Sequence, residues 1–270
     1  MRIALNERRS PMSSSTPIYK IYAVKYAGPL KSSVAMVFWN TDWEKTIERN
    51  YYLWVIQGNG ETLIVDCGVA PSLAEKRAIS GYVNPIQVLR RIGIDASRVQ
   101  RVIITHIHFD HISGIELFPE ATFYVQEKEF TFWIKDPIAQ KPPFLRFSDP
   151  VGNAHLARLE GTKRLVLIPG DRIILPGIEL LLAPGHSPGL QVVAVNTARG
   201  IAIVGSDCAH LFRNYEEEIP SSFIIDMIAW MKTYERLKSK VSSPDLLFPG
   251  HDSKMLTDYP RVAEDVTLLA

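Results

Sequence analysis

Residues Thr105–His111 read T-H-I-H-F-D-H. Three of the chain's seven histidines, His106, His108 and His111, crowd into this stretch beside Asp110. The run before it, Arg101–Thr105, is apolar and β-branched and reads as a short buried strand. Side chains at i and i+2 of an extended segment point the same way. His106 and His108 therefore share one side and can hold one metal ion. Asp110 and His111 follow where the chain must turn, with Gly114 shortly after, and can hold a second ion beside the first. A lone histidine usually caps a strand or satisfies a polar group in a core. Three histidines and an aspartate in this register point to metal ligation instead. Their donors suit zinc, iron, manganese or cobalt and disfavour calcium. The pattern is not H-E-x-x-H, which needs its histidines at i and i+4 on a helix.

A metal site needs further ligands, and the sequence offers three more strand ends that carry one. Leu180–Ala183 runs into P-G-H-S-P-G, presenting His186. Ile201–Gly205 runs into S-D-C, presenting Asp207, and Leu246–Phe248 runs into P-G-H-D, presenting His251. A polar residue in a loop just after an apolar strand is held by a rigid scaffold, which is what a ligand requires. Together these positions form a set of five histidines and two aspartates.

The H-x-H-x-D-H run, followed in order by PGHSPG, SD and PGHD, resembles the metallo-β-lactamase superfamily over about Tyr51 to Asp252. The resemblance implies an α+β fold, an αββα four-layer sandwich with a dinuclear site at one edge. It implies that His106, His108 and His186 hold the first ion, that Asp110, His111 and His251 hold the second, and that Asp207 bridges them. Two divalent ions are expected, zinc first, with iron, manganese or cobalt as other candidates. Asp66, in I-V-D-C-G, matches an aspartate that supports the ligand loop from outside the coordination sphere. Cys208, next to Asp207, is expected to be structural, and His155 to be a surface residue.

The order of the motifs resembles the N-acyl homoserine lactonase branch. It implies a lactonase that opens N-acyl homoserine lactones or related lactones by attack of a metal-bridging hydroxide, with Asp110 passing a proton to the leaving group. The better-known lactonases carry a tyrosine three residues after the bridging aspartate, touching the substrate carbonyl. Here that position is His210, which can donate a hydrogen bond to the same oxygen or signal another substrate; Tyr215 lies nearby and could substitute. The runner-up is a glyoxalase-type thioesterase or other carboxylic ester hydrolase, although no basic recognition region stands out. An iron-dependent sulfur dioxygenase, a β-lactamase and a non-catalytic relative fit less well, the last because no ligand is lost.

Composition agrees with an enzyme acting on small molecules. The chain has 270 residues, 46% hydrophobic and 22% charged, with net charge +1, which does not favour a nucleic-acid partner. No apolar run approaches the ~20 residues needed to span a bilayer. Two cysteines without a spaced framework suggest a reduced, cytoplasmic protein. Residues 1–17 are expected to be a flexible tail, with the start at Met1 or at Met12, and 18–270 a single domain. Tyr51–Gln57, Gly58-Asn59-Gly60 and Glu61–Asp66 read as a hairpin. Further strands are expected at Ala121–Val125, Leu165–Ile168, Ile178–Ala183 and Gln191–Asn196. Helices are expected at Asn84–Ile92, Gln126–Ile134 and Ile224–Lys240, the last with Ile225, Ile228, Ala229, Lys232 and Leu237 near one side. Lys135–Asn153, rich in proline, reads as an irregular loop or lid. The aromatic residues of Val34–Trp43 and of that loop, Phe144 and Phe147, would either line an acyl pocket or pack the sandwich edge. The first segment could also be a homodimer interface.

Overall fold

The computed structural model describes residues 16–270. Residues 1–15 of the expected tail, with both candidate starts, lie outside the described residues. Two sheets carry the fold. The first contains β1 (Lys20–Ser33), β2 (Thr46–Gly58), β3 (Glu61–Val65), β4 (Arg101–Ile103), β5 (Thr122–Gln126) and β6 (Leu165–Ile168). The second contains β7 (Arg172–Leu175), β8 (Ile178–Leu182), β9 (Gln191–Thr197), β10 (Gly200–Ser206) and β11 (Leu247–Pro249). Two last strands, β12 (Arg261–Ala263) and β13 (Val266–Leu268), return to the first sheet. Its order is β12-β13-β1-β2-β3-β4-β5-β6, and the second runs β11-β10-β9-β8-β7.

Period-2 alternation explains the layering. Along β2, Tyr52, Trp54 and Ile56 point between the sheets, where they meet Leu180, Val193, Val195 and Val204 of the second sheet. Tyr51, Leu53 and Val55 point the other way, into a cluster with Val88, Leu89, Phe130, Trp133 and Leu156 from the helical connections. On the far side, Leu181, Val192, Ala194 and Ile203 pack under Trp230, Tyr234 and Leu237 of the helix Met227–Lys240. The result is the expected α+β sandwich, helices outside two face-to-face sheets.

Three expectations change in the structure. The long strand β1 was not among the expected elements: Gly28-Pro29 interrupts its apolar pattern, and two register shifts against β2 absorb the interruption. The proline-rich segment 135–153 is helical in short pieces, Pro137–Gln140, Pro142–Leu145 and the start of Pro150–Arg158. Pro137, Pro142 and Pro150 sit at the first helical position and Pro143 at the second, where the missing N–H is not needed, and the Asp136 and Asp149 side chains accept hydrogen bonds from the first turns. The helix Met227–Lys240 turns a different face inward, Trp230, Thr233, Tyr234 and Leu237, while Ile228 is 70% exposed. The aromatic bulk at i, i+4 takes the core position.

Phe123 sits fully buried on β5, one strand in from the edge of the first sheet, paired with Val102 and Leu165. Phe123→Ala should lower the unfolding free energy by about 3–5 kcal/mol, read as a reduced urea midpoint at unchanged slope.

Candidate metal centre

The loops that follow β4, β8, β10 and β11 meet at one edge of the sandwich. They bring all seven sequence-selected positions together. His106, His108, His186 and Asp207 offer donor atoms within 4.8 Å of one another, as do Asp110, His111 and His251, and as do Asp207, His210 and His251. All are buried.

Hydrogen bonds at the remote ring nitrogens orient the imidazoles. His111 Nδ1 meets Asp66 Oδ2 at 2.8 Å, His186 Nδ1 meets the Phe223 carbonyl at 2.9 Å, and His251 Nδ1 meets the Asn50 carbonyl at 2.8 Å. A nitrogen facing a carbonyl or carboxylate must donate, so each Nε2 is turned toward the cluster, where the neutral ring offers its lone pair. Asp66 also accepts from the Thr105 backbone N–H at 2.7 Å and the Thr105 hydroxyl. It thus stands outside the cluster and supports the ligand loop.

The two oxygens of Asp207 face partly different neighbours. Oδ2 lies 3.4 Å from His186 Nε2 and 3.9 Å from His106 Nε2, Oδ1 lies 3.6 Å from His111 Nε2, and His251 Nε2 stands between them, 3.1 Å from Oδ1 and 3.2 Å from Oδ2. Most of these separations are too long for good hydrogen bonds. They are near the ~3.3 Å expected between donors that share one tetrahedral ion with bonds of about 2.0–2.1 Å. Accordingly His106 Nε2, His111 Nε2 and Asp207 Oδ1 are fully buried and lack any hydrogen-bond partner. Buried polar atoms without partners are costly, and their convergence fits a site for divalent cations.

The electrostatics point the same way. Burial, reinforced by neighbouring imidazoles, holds His106, His108 and His210 well below the ordinary histidine range, and burial brings His186 down to about 4. These rings are neutral at physiological pH, as ligands must be. Burial also acts to lower His111, but Asp110, Asp66 and Asp207 outweigh it and raise that ring. For Asp207 burial acts upward, yet His251, His210 and His111 pull the carboxyl well below its usual range.

A cavity of about 870 Å³ opens onto this cluster. His108, Asp110, His186, Asp207 and His210 reach it from below; Phe144, Phe147, Trp133 and Phe223 form its walls. Phe147 stacks on the His108 ring at 5.0 Å, and Trp133 meets that ring edge-on at 5.1 Å. The loop aromatics therefore line a pocket. The segment 34–43 divides: Met36 lines the cavity, Val34, Val37 and Phe38 pack with Leu211, and Trp39 and Trp43 are exposed. Tyr215 does not line the cavity; it is buried against Tyr234 in the outer core. Cys208 is buried outside all three donor groups, burial pushes its thiol up, and its carbonyl accepts from the Trp230 indole. His155 lies on an outer helix against Glu116.

Sequence reasoning did not find Glu129. Its carboxyl is fully buried and accepts from Ile107 N at 2.8 Å, Gly189 N at 2.8 Å and the Ser187 hydroxyl at 2.6 Å. It thereby ties the loop carrying His106 and His108 to the loop carrying His186. A Cβ on Gly189 would lie 2.2 Å from Glu129 N, so only glycine permits this approach. The partners are 58 and 60 residues away in sequence, and no local pattern reports them.

The profile of the Metallo-beta-lactamase superfamily matches residues 47–251. The chain belongs to the metallo-beta-lactamase superfamily. Within it, the likeness runs to the N-acyl homoserine lactonase-like branch. N-acyl homoserine lactonase AiiA of Bacillus thuringiensis subsp. kurstaki is 27% identical over 231 residues, 77% of this chain and 83% of that protein. N-acyl homoserine lactonase AttM of Rhizobium radiobacter is 22% identical over 182 residues, 66% of this chain and 68% of that protein. A crystal structure of a quorum-quenching N-acyl homoserine lactone lactonase superposes with a TM-score of 0.74 at 21% identity, covering 92% of this chain and 98% of the other. The dizinc quorum-quenching lactonase AidC superposes at 0.67 with 16% identity, covering 88% and 92%. At those identities the solved structures establish the shared fold.

Burial raises Glu129 from 4.5 to about 7 in the folded chain. The folded state therefore binds this proton more tightly than the unfolded state, and the stability it contributes is full below pH 4.5 and declines as pH rises to about 7. In metal-free protein, Glu129→Gln should flatten that decline. Glu129→Ala should destabilise by at least ~2 kcal/mol, because it strands several buried donors. Urea titrations across this pH range check both.

Proposed function

We propose that the chain is a dinuclear metal-dependent hydrolase that opens lactones, N-acyl homoserine lactones or related rings. The observation that carries this reading is Asp207, which stands between two histidine groups: Oδ2 faces His186 and His106, Oδ1 faces His111, and His251 is near both oxygens. In this reading His106, His108 and His186 hold one ion, Asp110, His111 and His251 hold the other, and Asp207 is shared between them. Two divalent ions there, zinc first among the metals that these donors suit, would acidify a water to near-neutral pKa and polarise the carbonyl under attack.

The protein's own groups account for the rest. The cavity walls of Trp133, Phe144, Phe147 and Phe223 hold an apolar acyl or ring portion against the centre and exclude bulk water. Asp110 lines the cavity, and its backbone carbonyl is fixed by the Tyr26 hydroxyl at 2.6 Å. In this reading it hands a proton to the departing oxygen. His210 also lines the cavity; burial keeps its ring neutral and able to donate to the carbonyl or the developing oxyanion. Its Nε2 also lies 3.5 Å from Asp207 Oδ2, and it shares a donor group with Asp207 and His251. That favours a second reading, in which His210 touches an ion.

Two variants separate these roles. Asp207→Ala should reduce turnover to background and lower the bound metal below two per chain; full activity would sink the shared-ligand assignment. His210→Ala should lower kcat by about 10²–10³ with both metals retained, whereas metal loss would make it a ligand. Proton release from metal-loaded protein tests the chemistry against homoserine lactones, simple γ- and δ-lactones, aryl esters and a glutathione thioester. Lactone turnover supports the proposal. Turnover confined to thioesters selects the glyoxalase-type alternative, and silence across the panel removes the hydrolase reading.

A further inference from the structure

The cavity above the candidate metal centre carries a charge pattern that a neutral lactone does not use. Three arginines line it, Arg49, Arg77 and Arg146, and its acidic lining residues are Asp110 and Asp207, both part of the centre. Among the described residues, none of the three arginines forms an ion pair. Arg91, Arg101, Arg199, Arg213 and Arg236, by contrast, each meet a carboxylate.

These guanidinium groups are positioned rather than free to sweep. Arg49 Nε donates to Ser32 Oγ at 2.6 Å, and its guanidinium lies 5.6 Å from the Tyr51 ring centre. Arg77 sits 3.9 Å above the Phe109 ring and donates to the Arg146 carbonyl at 3.3 Å. Arg146 lies 5.8 Å from the ring of Phe147. Tyr51 links the first two. Burial raises its phenol, and both Arg49 and Arg77 are near enough to oppose that effect. Tyr51 in turn lies 5.4 Å from the His251 ring. The arginine wall therefore stands beside the centre, on the side of His251 and Asp110.

Physical chemistry gives this wall a preferred occupant. Arg49 is half-buried and Arg77 and Arg146 are exposed at the cavity mouth, so a neutral acyl chain laid along them would displace part of their water without pairing them, which is unfavourable. A carboxylate would pair with them, and the planar guanidinium fork suits that group in particular. Stacking on aromatic rings leaves the edge N–H groups of Arg49 and Arg77 to be used for this.

We propose that Arg49, Arg77 and Arg146 form a carboxylate-recognition site, and that the substrate is a lactone or ester whose non-reacting arm ends in a carboxylate. This rests on the hydrolase reading above and narrows its substrate class. The arginines then decide selectivity, and the metal ligands decide reactivity.

The test measures binding and turnover separately, on the full metal-loaded chain. Calorimetry compares a series of linear dicarboxylates, succinate to suberate, with monocarboxylates of matched length. At least one dicarboxylate should bind about tenfold more tightly than its partner, since a charge-assisted pair is worth ~1.5 kcal/mol or more. The difference should vanish in Arg49→Ala/Arg77→Ala and shrink in Arg146→Ala, a surface variant that keeps the fold. Added salt should reduce it. In turnover, the ratio of kcat/KM for a carboxylate-bearing ester over its neutral methyl ester should fall about tenfold or more in the double variant. Equal binding of the two series, or a preference that survives the double substitution, overturns the site. Loss of hydrolysis on every ester, with the arginine-dependent dicarboxylate preference intact, would remove the hydrolase reading and leave the recognition site standing.

Discussion

The centre depends on one buried carboxylate that is not itself in the donor cluster. Asp66 sits at the end of β3, fully buried, with its backbone in the left-handed region at φ 65°. Its oxygens accept from the Thr105 N–H, the Thr105 hydroxyl and His111 Nδ1, and Ser206 Oγ lies 3.4 Å away. Those partners belong to the loop after β4 and to the end of β10, so a single side chain links the first sheet to the second at the edge where the loops meet. Its oxygens are surrounded by donors, which is the condition for burying so polar a group. The unusual backbone at Asp66, and at Ser206 with φ 46°, is what aims these groups inward.

Glu129 plays the matching part on the opposite side. Asp66 fixes the His111 end of the ligand loop, and Glu129 fixes the Ile107 backbone between His106 and His108. The same carboxyl grips Ser187 and Gly189, the residues flanking the turn beyond His186. Two buried acids thus hold the loops from behind, and the imidazole lone pairs face forward. Small backbone clearances complete the arrangement. A Cβ at Gly250 would lie 2.1 Å from Asp207 Oδ1, so the PGHD turn must be glycine for Asp207 to keep its place. Pre-ordering of this kind allows the rings of His106, His108, His111 and His186 to be held with neighbouring centroids 4.1–4.9 Å apart, although His106 Nε2 and His111 Nε2 lack hydrogen-bond partners.

What the sequence revealed follows from the range of each interaction. His106, His108, Asp110 and His111 are close in the chain, and strand geometry alone makes them neighbours. His186, Asp207 and His251 were found because each stands in a glycine- or serine-marked turn after an apolar strand, a pattern that local propensities write clearly. The alternation of Tyr51–Ile56 reported its two buried faces for the same reason. Glu129, Trp133 and the three cavity arginines were not legible. Their partners lie in other elements, and an isolated glutamate or arginine in a helical or loop segment looks like any solvated residue. The prolines of 137–150 misled in the opposite direction, since a proline that breaks a helix and one that begins a helix look alike until the capping aspartates are placed. The Met227–Lys240 helix shows how Ile228 can satisfy an apolar pattern and still face solvent when Trp230 and Tyr234 claim the core.

The architecture separates two tasks that a hydrolase must meet. The donor cluster comes from strand ends and is braced by Asp66 and Glu129, so its geometry is coupled to the core of both sheets. The cavity walls come from connections: Phe144, Arg146 and Phe147 from the short helical turns, Arg77 from the end of Pro71–Lys76, and Phe223 from the approach to the last long helix. Changes in those connections alter what enters without moving Asp207 or its neighbours, because loops tolerate substitution better than the elements they join. His210 belongs to both sets, as do His108, Asp110, His186 and Asp207. It lines the cavity, contacts the Asp207 side of the cluster and replaces the tyrosine expected from the better-known lactonases. A neutral imidazole held there is shorter than a phenol and lacks its acidity. In the proposed reading a substrate carbonyl would have to approach Asp207 more closely to reach it, which would favour compact acyl or ring groups at the reacting end and leave the arginine side of the cavity for the longer arm.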